Sequence, residues 1–467
     1  MIKEGLSFDD VLLVPRRSGI LSRKDVFLGT RFSRGISLEL PLVSANMDTV
    51  TEAKMARFMA EVGGIGVIHR FLSIEDQAEE VRKVKRAENI IIEDPYTINE
   101  ESTIAEARKL MADFGVSGLL VKDSKDSLSG ILTHRDLLFD GNDSKKIRTV
   151  MTKKVIFAPP KITIEKAKKI MHEHRIEKLP LVARSGKIKG LITLKDILKK
   201  TENPRSSKDK KGRLLVAAAV GVKEETEARA RALLDAGVDV VVIDVAHGHS
   251  AKVFHTLKML RKKFGDIEVI AGNVATPSAV RDIAKAGASG IKVGIGPGAA
   301  CTTRVIAGVG IPQITAIIEC AKAARRFKIP IIADGGVKNS GDLSKALAAG
   351  ADSVMIGSLF SGTDEAPGEY VIENGAAYKF YRGMASYEAG KDKQDIDGTK
   401  DKFSRTPEGK SGRVHYRGPA KNVISELTGG LRSSMSYLGA HNLDQFRKNA
   451  EFIKITGSGY IEGTARN

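Results

Sequence analysis

A glycine-rich loop around one cysteine is the strongest chemical signal in the sequence. Residues 294–304 read Gly-Ile-Gly-Pro-Gly-Ala-Ala-Cys-Thr-Thr-Arg, which places the cysteine at position 301. Glycines allow backbone turns that most residues cannot make, and they let a ligand approach the main chain closely. The thiolate is the nucleophilic form of cysteine, and Arg304 would favour it if the guanidinium lies close. The loop therefore predicts covalent catalysis by Cys301, whereas Cys320, in a helix-like stretch, is predicted to be structural.

Glycines and polar residues also follow two apolar runs further along the chain. Ala333-Asp334-Gly335-Gly336 ends one run, and Met355-Ile356-Gly357-Ser358 ends the other. Backbone amides at such positions bind phosphate, and one aspartate can accept hydrogen bonds from both hydroxyls of a ribose. A phosphorylated ribose is therefore an expected ligand, and the competing interpretation of Asp334 is a helix N-cap.

Polar residues at two other run ends indicate a second ligand. Asp244 and Asn273 could orient it beside the cysteine, although either side chain could instead shape its own turn. His247 and His249 could form a metal pair, but no third ligand is evident nearby, so a histidine metal site is not expected.

Eight short apolar runs precede or carry these residues, and most are followed by a helix-like stretch. They cover residues 40–44, 65–69, 214–219, 238–243, 267–272, 289–293, 330–333 and 353–357. The run 238–243 is nearly continuously apolar, as expected of a strand that is covered on both faces. Strands that alternate with helices eight times predict an α/β fold, a (β/α)₈ TIM barrel whose carboxyl-end loops carry the active site. Because no Gly-x-Gly-x-x-Gly opens a helix after a strand, any dinucleotide would bind at the barrel mouth.

The stretch between the second and third runs is too long for a loop and predicts an inserted domain. It holds an internal repeat, in which Thr103-Ile104-Ala105-Glu106-Ala107 recurs as Thr163-Ile164-Glu165-Lys166-Ala167, and Gly130-Ile131-Leu132-Thr133 recurs as Gly190-Leu191-Ile192-Thr193. The two copies resemble a tandem pair of cystathionine-β-synthase-type (CBS) modules, which implies binding of adenine or guanine nucleotides. Asp136 and its counterpart Asp196 would hold ribose hydroxyls, or they would serve as helix caps or surface ion pairs.

The predicted domain boundaries follow from this insertion and from a polar, basic linker before the third run. Residues 1–91 form the first part of the barrel, residues 92–203 form the tandem CBS domain, and residues 204–467 form the rest of the barrel with the catalytic loop, flap and tail.

Composition narrows the class of protein and of partner. The 467 residues are 42% hydrophobic and 28% charged, which excludes a mainly disordered chain. No run approaches the roughly 18 apolar residues of a membrane span, and no apolar signal segment opens the chain. Only two cysteines are present, which favours the reducing cytoplasm. The net charge of +18 is spread along the chain without interleaved aromatics, so we expect small anionic ligands rather than nucleic acid or a membrane.

These motifs together resemble one enzyme family, the IMP dehydrogenase/GMP reductase family, over nearly the whole chain. The matching segments are Asp48-Thr49-Val50-Thr51-Glu52, Gly63-Gly64-Ile65-Gly66-Val67-Ile68-His69, the Cys301 loop, Ala333-Asp334-Gly335-Gly336 and Tyr381-Arg382-Gly383-Met384. A CBS pair between strands two and three matches the family as well.

The resemblance implies a mechanism and a set of site residues. The Cys301 thiolate would attack C2 of a purine mononucleotide, hydride would pass between C2 and the nicotinamide, and a thioimidate would lie on the pathway. The implied catalytic residues are Cys301, Thr303, Lys402 and Glu408. The implied substrate-binding residues are Met47, Asp334, Gly335, Gly336, Gly357, Ser358, Tyr381, Gly383, Met384 and Glu408.

The resemblance also implies cofactors and partners. NAD, or NADPH in a reductase, would face Asp244, Ala246, His247 and Asn273. Potassium would bind the backbone carbonyls of Gly296, Gly298 and Cys301, with Glu462 from a neighbouring subunit. The family is typically tetrameric, and CBS pairs often join tetramers into octamers.

Two reactions of the family compete as the activity of this chain. The dehydrogenase hydrolyses the thioimidate with a flap Arg-Tyr pair, whereas the reductase releases ammonia from GMP and takes hydride from NADPH. Thr406-Pro407-Glu408-Gly409 and the extended tail favour the dehydrogenase, and Ala45-Asn46-Met47 favours the reductase. The flap lacks Arg-Tyr, and Lys402 activates water poorly unless its pKa is strongly lowered. We expect the dehydrogenase, with GMP reductase as the alternative and a non-enzymatic nucleotide sensor that uses the CBS pair as a third hypothesis.

Overall fold

Eight parallel strands close into a barrel in this computed structural model, which describes residues 2–87, 92, 95–138, 140–194, 197, 204–397 and 406–463. The strands are β1 (Leu42–Ser44), β2 (Ile65–Ile68), β3 (Ala217–Val220), β4 (Val240–Asp244), β5 (Glu268–Val274), β6 (Gly290–Val293), β7 (Ile331–Asp334) and β8 (Ser353–Ile356). They pair in chain order, and β8 closes the ring on β1 through Val354 opposite Leu42. The predicted (β/α)₈ barrel is confirmed, and each of the eight predicted runs overlaps one of its strands.

The barrel strands are apolar along their length because both of their faces are buried. In β4, Val240 and Val242 belong to one hydrophobic cluster, whereas Val241 and Ile243 belong to another. Successive side chains of a strand point to opposite faces, so a strand between two apolar layers needs no polar alternation.

Helices follow the strands in the alternation that the sequence predicts. They are α1 (Ala53–Glu61), α2 (Ile74–Arg86), α3 (Thr226–Asp235), α4 (Ala251–Phe264), α5 (Pro277–Lys285), α6 (Gln313–Arg325), α7 (Ser340–Ala348) and α8 (Ala420–Tyr437). Side-chain oxygens of Ser73, Thr276 and Asn339 cap α2, α5 and α7. In the part of the chain that the structure describes, no helix has the length and apolarity to cross a membrane.

Smaller elements complete this unit. Val11–Leu13 pairs antiparallel with Phe452–Lys454, Thr30–Arg31 pairs with Ser37–Leu38, and a three-stranded sheet consists of Tyr370–Glu373, Ala376–Arg382 and Ser411–His415. Further short helices are Thr303–Ile306, Ser358–Ser361, Tyr387–Asp397, Leu443–Asn449 and Gly457–Glu462.

The chain divides into two compact units, one of Met1–Ala87 with Arg205–Asn467 and the other of Glu88–Pro204. In the second unit Ile104–Phe114, Gly118–Lys122 and Leu128–Thr133 have the same order as Ile164–Glu173, Lys178–Val182 and Ile188–Thr193. Each copy has its own hydrophobic cluster. The helix–strand–strand order agrees with the sequence repeat, and the CBS identity of this unit stays a prediction.

A buried lysine joins the two ends of the interruption within the barrel unit. The ammonium of Lys85, near the end of α2, lies 2.5 Å from Asp239 Oδ2 and 3.2 Å from Asp209 Oδ2. It also donates to the backbone carbonyl of Leu214 at 2.8 Å. Because Lys85 precedes the second unit in the chain and Asp209 follows it, this cluster fixes α2 against the segment that returns to the barrel.

Candidate active site

The predicted nucleophile lies in the loop after β6, at the carboxyl end of the barrel. Cys301 is partly exposed, and its thiol lies 3.3 Å from the hydroxyl oxygen of Thr303. The Cys301 amide donates to the carbonyl of Gly298 at 3.0 Å, which closes a tight turn. Thr303 begins the short helix Thr303–Ile306. The thiol therefore lies on a hydrogen-bonded turn, with one hydroxyl beside it.

The segment 408–410 is bound along the cysteine loop. The amide of Thr302 donates to the carbonyl of Glu408 at 2.9 Å, and the amide of Lys410 donates to the carbonyl of Ala300 at 2.9 Å. The amide of Gly383 in turn donates to the carbonyl of Lys410 at 3.1 Å. These bonds bring Glu408 and Gly383, which are distant in sequence, to the nucleophile.

Arg304 shapes the loop through contacts with glycines. A side chain at Gly296, where φ is +87°, would approach Arg304 Cγ to 2.5 Å. The guanidinium donates to the carbonyl of Ile311 at 2.6 Å. Among the described residues Arg304 has no hydrogen bond to the thiol, so activation of Cys301 by Arg304 stays a prediction.

A buried lysine that belongs to none of the predicted site residues lies beside the carboxyl ends of β4 and β7. Lys292, on β6, is 3% exposed, and its ammonium lies 2.7 Å from Asp334 Oδ2 and 3.4 Å from Asp244 Oδ1. Asp334 Oδ2 also accepts a hydrogen bond from the Asn273 amide nitrogen at 2.9 Å. One signal in the sequence could have identified Lys292, because it is the only charged residue of the strand Gly290–Val293.

Two cations and one neutral amide surround Asp244. Arg70 Nε lies 3.9 Å from its Oδ2, Lys292 faces its Oδ1, and the Asn46 side chain hydrogen-bonds to it. Burial pushes the pKa of Asp244 upward, but Lys292, Arg70 and Asn46 together hold that pKa below its usual value. Burial pushes the pKa of Lys292 downward, and the two carboxylates raise it above its usual value. Asp244 and Lys292 are therefore both ionised at neutral pH.

Asp334 does not cap the helix that follows it, which was the competing interpretation. The N-cap of α7 is Asn339, whose side chain accepts a hydrogen bond from the amide of Asp342. Among the described residues, the hydrogen bonds to the Asp334 carboxylate fall on Oδ2, so Oδ1 is open to a ligand. Gly335 and Gly336 have φ values of +91° and +87°, and they pack against Pro297 of the cysteine loop.

Met47, Tyr381 and Gly357 meet beside this carboxylate. The Tyr381 hydroxyl lies 3.8 Å from Met47 Sδ, and a side chain on Gly357 would approach both residues within 3.3 Å. Burial raises the pKa of Tyr381, and the nearby Asp334 and Cys301 raise it further. Tyr381 is thus a neutral hydroxyl at neutral pH, able to donate a hydrogen bond at the base of the site.

Arg382 holds two segments of the site together. Its Nη2 lies 2.5 Å from Asp48 Oδ2, and its Nη1 lies 2.6 Å from Asp392 Oδ2 on the helix Tyr387–Asp397. Met384 Sδ accepts a hydrogen bond from the amide of Asp48 at 3.4 Å. In the sequence Arg382 stands out only as part of the motif Tyr381-Arg382-Gly383-Met384, which does not predict this ion-pair bridge.

The remaining predicted residues divide into three groups. Ala246 and His247 follow β4. His249, which could have formed a metal pair with His247, lies 3.0 Å from Asp282. The described residues contain no cluster of three His, Cys, Asp or Glu side chains suited to a metal. Glu462 ends the helix Gly457–Glu462 and is exposed. Lys402 and Asp196 lie outside the described residues.

Asp136 in the second unit is already engaged within its own turn. Its Oδ2 accepts hydrogen bonds from both the amide and the hydroxyl of Thr133, each at 2.7 Å. This is the geometry of a helix start, which was the alternative to ribose binding. The predicted contact with a nucleotide ribose stays a prediction.

Comparisons with known proteins find similarity over nearly the whole chain. A family described as "IMP dehydrogenase / GMP reductase domain" matches residues 5–466. The chain is 51% identical over 465 residues to the inosine-5'-monophosphate dehydrogenase of Nitrosopumilus maritimus, with 98% of each chain covered. It is 50% identical over 466 residues to that of Aquifex aeolicus, covering 99% of this chain and 95% of the relative.

A solved structure resembles the whole chain as well. It is a GMP reductase variant from Trypanosoma brucei in complex with guanosine 5'-monophosphate, with a TM-score of 0.95 and 41% sequence identity. The similarity covers 100% of this chain and 98% of that one.

Proposed function

The chain belongs to the IMP dehydrogenase/GMP reductase family, and from that premise we propose that it is an IMP dehydrogenase, which oxidises IMP to XMP with NAD. The observation that carries the proposal is the position of Cys301. Its thiol lies on a rigid turn after β6, and the segment that carries Glu408 and the strand that carries Tyr381 meet at this loop. This arrangement suits covalent chemistry on a bound nucleotide.

The reaction balances as IMP, NAD⁺ and water giving XMP, NADH and a proton. The Cys301 thiolate adds to C2 of the purine, and the C2 hydrogen leaves as hydride, which NAD accepts when bound. The resulting thioimidate joins Cys301 to C2. Water then adds to C2, and the carbon–sulfur bond breaks, which returns the thiol and releases XMP.

Residues after three barrel strands hold the nucleotide in this proposal. Asp334 accepts from the ribose hydroxyls through its open Oδ1, and the glycine-containing turns bind the phosphate through backbone amides. The phosphate ligands are Gly335, Gly336, Gly357 and Ser358, with a hydrogen bond from Tyr381. Met47, Gly383, Met384 and Glu408 surround the base.

The residues around Asp244 fit a nicotinamide nucleotide. Asn273 Oδ1 is buried and without a hydrogen-bond partner among the described residues, so it is free to accept from a carboxamide or hydroxyl group. Asp244 accepts from the nicotinamide ribose, and Ala246 and His247 cover the cofactor. Their part in binding NAD rests on this fit.

The cysteine loop also offers oxygen ligands of the kind that potassium prefers. Gly296 has φ +87°, and the carbonyl of Gly298 accepts only one hydrogen bond from the Cys301 amide in the described part of the chain. Carbonyls of Gly296, Gly298 and Cys301 would hold a monovalent cation, with Glu462 of another subunit as a further ligand. The ion would stiffen the loop that presents the thiol.

Hydrolysis needs a group that activates water, and the chain offers Thr303 and Lys402. The Thr303 hydroxyl is 3.3 Å from the thiol, so it would lie close to the carbon of the thioimidate that water attacks. Glu408 and Lys402 come from the segment that follows the helix Tyr387–Asp397. We assign Thr303 to orienting water and Lys402 to the proton transfer.

GMP reductase is the second candidate, and one observation favours it. The Asn46 side chain hydrogen-bonds to Asp244, so the residue typical of reductases is part of the charged cluster at the barrel mouth. In that reaction GMP loses ammonia at C2, and NADPH supplies hydride to the thioimidate. The curated relatives at about half identity are dehydrogenases, which is why we place the reductase second.

The decisive experiment offers the purified protein IMP with NAD⁺ and, separately, GMP with NADPH. We expect NADH from the first mixture and no NADPH oxidation in the second, and Cys301→Ala should abolish turnover. Cys320→Ala is the matched control, since burial raises the pKa of the Cys320 thiol to about 12 and keeps it unreactive. Oxidation of NADPH by GMP without turnover of IMP would establish the reductase instead.

The second unit and the assembly complete the proposal. The repeated helix–strand–strand order supports a tandem CBS pair that binds adenine or guanine nucleotides near Asp136 and Asp196. We propose a homotetramer or octamer, in which a partner subunit supplies Glu462.

A further inference from the structure

Lys292 joins the two carboxylates that the proposed function assigns to different ligands. Asp334 is the ribose ligand for IMP, and Asp244 faces the nicotinamide nucleotide. Lys292 lies between them, with its ammonium 2.7 Å from Asp334 and 3.4 Å from Asp244. It comes from β6, whereas its two partners end β7 and β4.

The lysine is held in place by close packing as well as by charge. A side chain on Gly272, at the adjacent position of β5, would approach Lys292 Cβ and its carbonyl oxygen to 2.6 Å. Lys292 is 3% exposed, so its ammonium has little access to water and depends on the two carboxylates for compensation. The position of the ammonium is therefore fixed from β5, β4 and β7 together.

We propose that Lys292 is a positioning residue that holds the substrate-binding and cofactor-binding carboxylates in one register. The proposal rests on the proposed function, because that function assigns the two carboxylates to two ligands. By fixing Oδ2 of Asp334, Lys292 turns Oδ1 toward the substrate. Because Lys292 also pairs with Asp244, binding of a ligand at one carboxylate depends on the charge of the other.

Several charged and titratable groups lie near Asp334. Lys292 and, through Asp244, Arg70 supply positive charge. Tyr381 lies close enough to interact with Asp334 and also with Cys301. Without Lys292, two acidic groups would share a buried site with one remaining cation. One of them would then bind a proton at a higher pH than in the native protein.

The test measures IMP binding by calorimetry across pH 5 to 9 in the full-length protein without NAD. Lys292→Met should weaken IMP binding at pH 8 at least about tenfold, because an ionised hydrogen bond to the ribose ligand loses its support. The acid limb of the binding profile should move upward by about one pH unit or more. The phosphate of IMP titrates equally in all variants, so its contribution cancels in the comparison.

A second variant tests the coupling from the opposite side. Asp244→Asn is isosteric and leaves Lys292 to Asp334 alone, so the acid limb for IMP should move downward, opposite to Lys292→Met. Asp244 does not touch IMP in the proposed function, and only coupling across the cluster predicts such a shift. If Lys292→Met does not fold, the direction of this shift decides.

Lys85→Met is the matched control, since Lys85 is a buried lysine between two aspartates near the amino end of β4. It should lower the melting temperature and leave the pH profile of IMP binding unchanged. The proposal would be overturned if Lys292→Met left the pH profile of IMP binding unchanged. It would also be overturned if Lys292→Met and Lys85→Met shifted that profile equally. Failure of the native protein to bind IMP at all would instead overturn the proposed function.

Discussion

At the residue scale, the sequence marks groups whose type or motif suggests nucleophilic or ligand-binding chemistry, but it does not mark residues that form buried ion pairs. Cys301 and Asp334 stand in glycine-rich segments, and their types alone suggest a nucleophile and a ribose ligand. Lys292 and Arg382 are ordinary basic residues in the sequence. Their roles depend on the carboxylates that they contact. For Lys292 these carboxylates lie 42 and 48 positions away in the sequence, and for Arg382 one of them lies 334 positions away.

Asp334 provides the most direct test of the nucleotide site at this scale. Asp334→Asn keeps the shape but removes the charge that, in the proposed function, binds the ribose hydroxyls. The value of kcat/KM for IMP should then fall about a hundredfold, in line with roughly 1.5–3 kcal/mol for a charged hydrogen bond. Steady-state kinetics with varied IMP measure the loss, which should appear mainly in KM.

The control for this prediction is another buried aspartate of the same barrel. Asp352 accepts a hydrogen bond from the amide of Ile331 at 2.9 Å and lies 3.4 Å from Arg447. Asp352→Asn should reduce thermal stability while KM for IMP stays within about twofold of the native value. Equal losses of kcat/KM in both variants would show that Asp334 is needed only for folding.

At the scale of elements, the eight runs predicted the barrel because each strand is apolar on both faces. The association of Tyr370–Glu373, Ala376–Arg382 and Ser411–His415 into a sheet was not foreseen. These strands are partly exposed, so hydrophobic periodicity marks them poorly. The last two bring Tyr381 and the 408–410 segment to Cys301, and a strand pairing of this kind depends on contacts far apart in the sequence.

The helix Tyr387–Asp397 offers a test of an element's position. Asp392 pairs with Arg382 at 2.6 Å, and this helix precedes the segment that carries Lys402 and Glu408. Asp392→Ala should lower kcat up to about fivefold with little change in KM for IMP, because a half-exposed ion pair contributes at most about 1 kcal/mol.

Stopped-flow measurement of NADH formation separates hydride transfer from hydrolysis in this variant. Lys391→Ala, an exposed position on the same helix, is the matched control and should behave as the native enzyme. A rise in KM for IMP without a change in kcat would contradict the assignment of this ion pair to the hydrolytic segment.

At the scale of the whole molecule, the long gap between two strands and the internal repeat were enough to predict an insertion. The structure gives the inserted unit its own hydrophobic clusters and gives the barrel unit separate ones. The ligand of the second unit could not be derived from the repeat, because the helix start at Asp136 accounts for that carboxylate without any nucleotide.

Because the chain divides into two compact units, we expect the barrel unit to keep its activity without the inserted unit. Replacement of residues 88–204 by about six glycine and serine residues should give a folded enzyme whose NADH formation from IMP stays within about twofold. The Lys85 cluster supports this expectation, since Lys85 and Asp209 already lie 3.2 Å apart.

Comparison of the full-length and shortened proteins also tests regulation, when adenine and guanine nucleotides are added to each. Any effect of ATP or GTP on the full-length enzyme should disappear in the shortened protein, which circular dichroism must show to be folded. A folded but inactive shortened protein would mean that the second unit takes part in catalysis.

The pairing of Val11–Leu13 with Phe452–Lys454 has a topological consequence. Because the first and last strands of the barrel unit lie side by side, a short peptide could join them, and new ends could be opened at the site of the insertion. The circular permutant would run from β3 to β8 and then through β1 and β2, with all eight strands in unbroken succession. The insertion point and the pairing of Val11–Leu13 with Phe452–Lys454 thus mark two places at which one ring of strands can be opened.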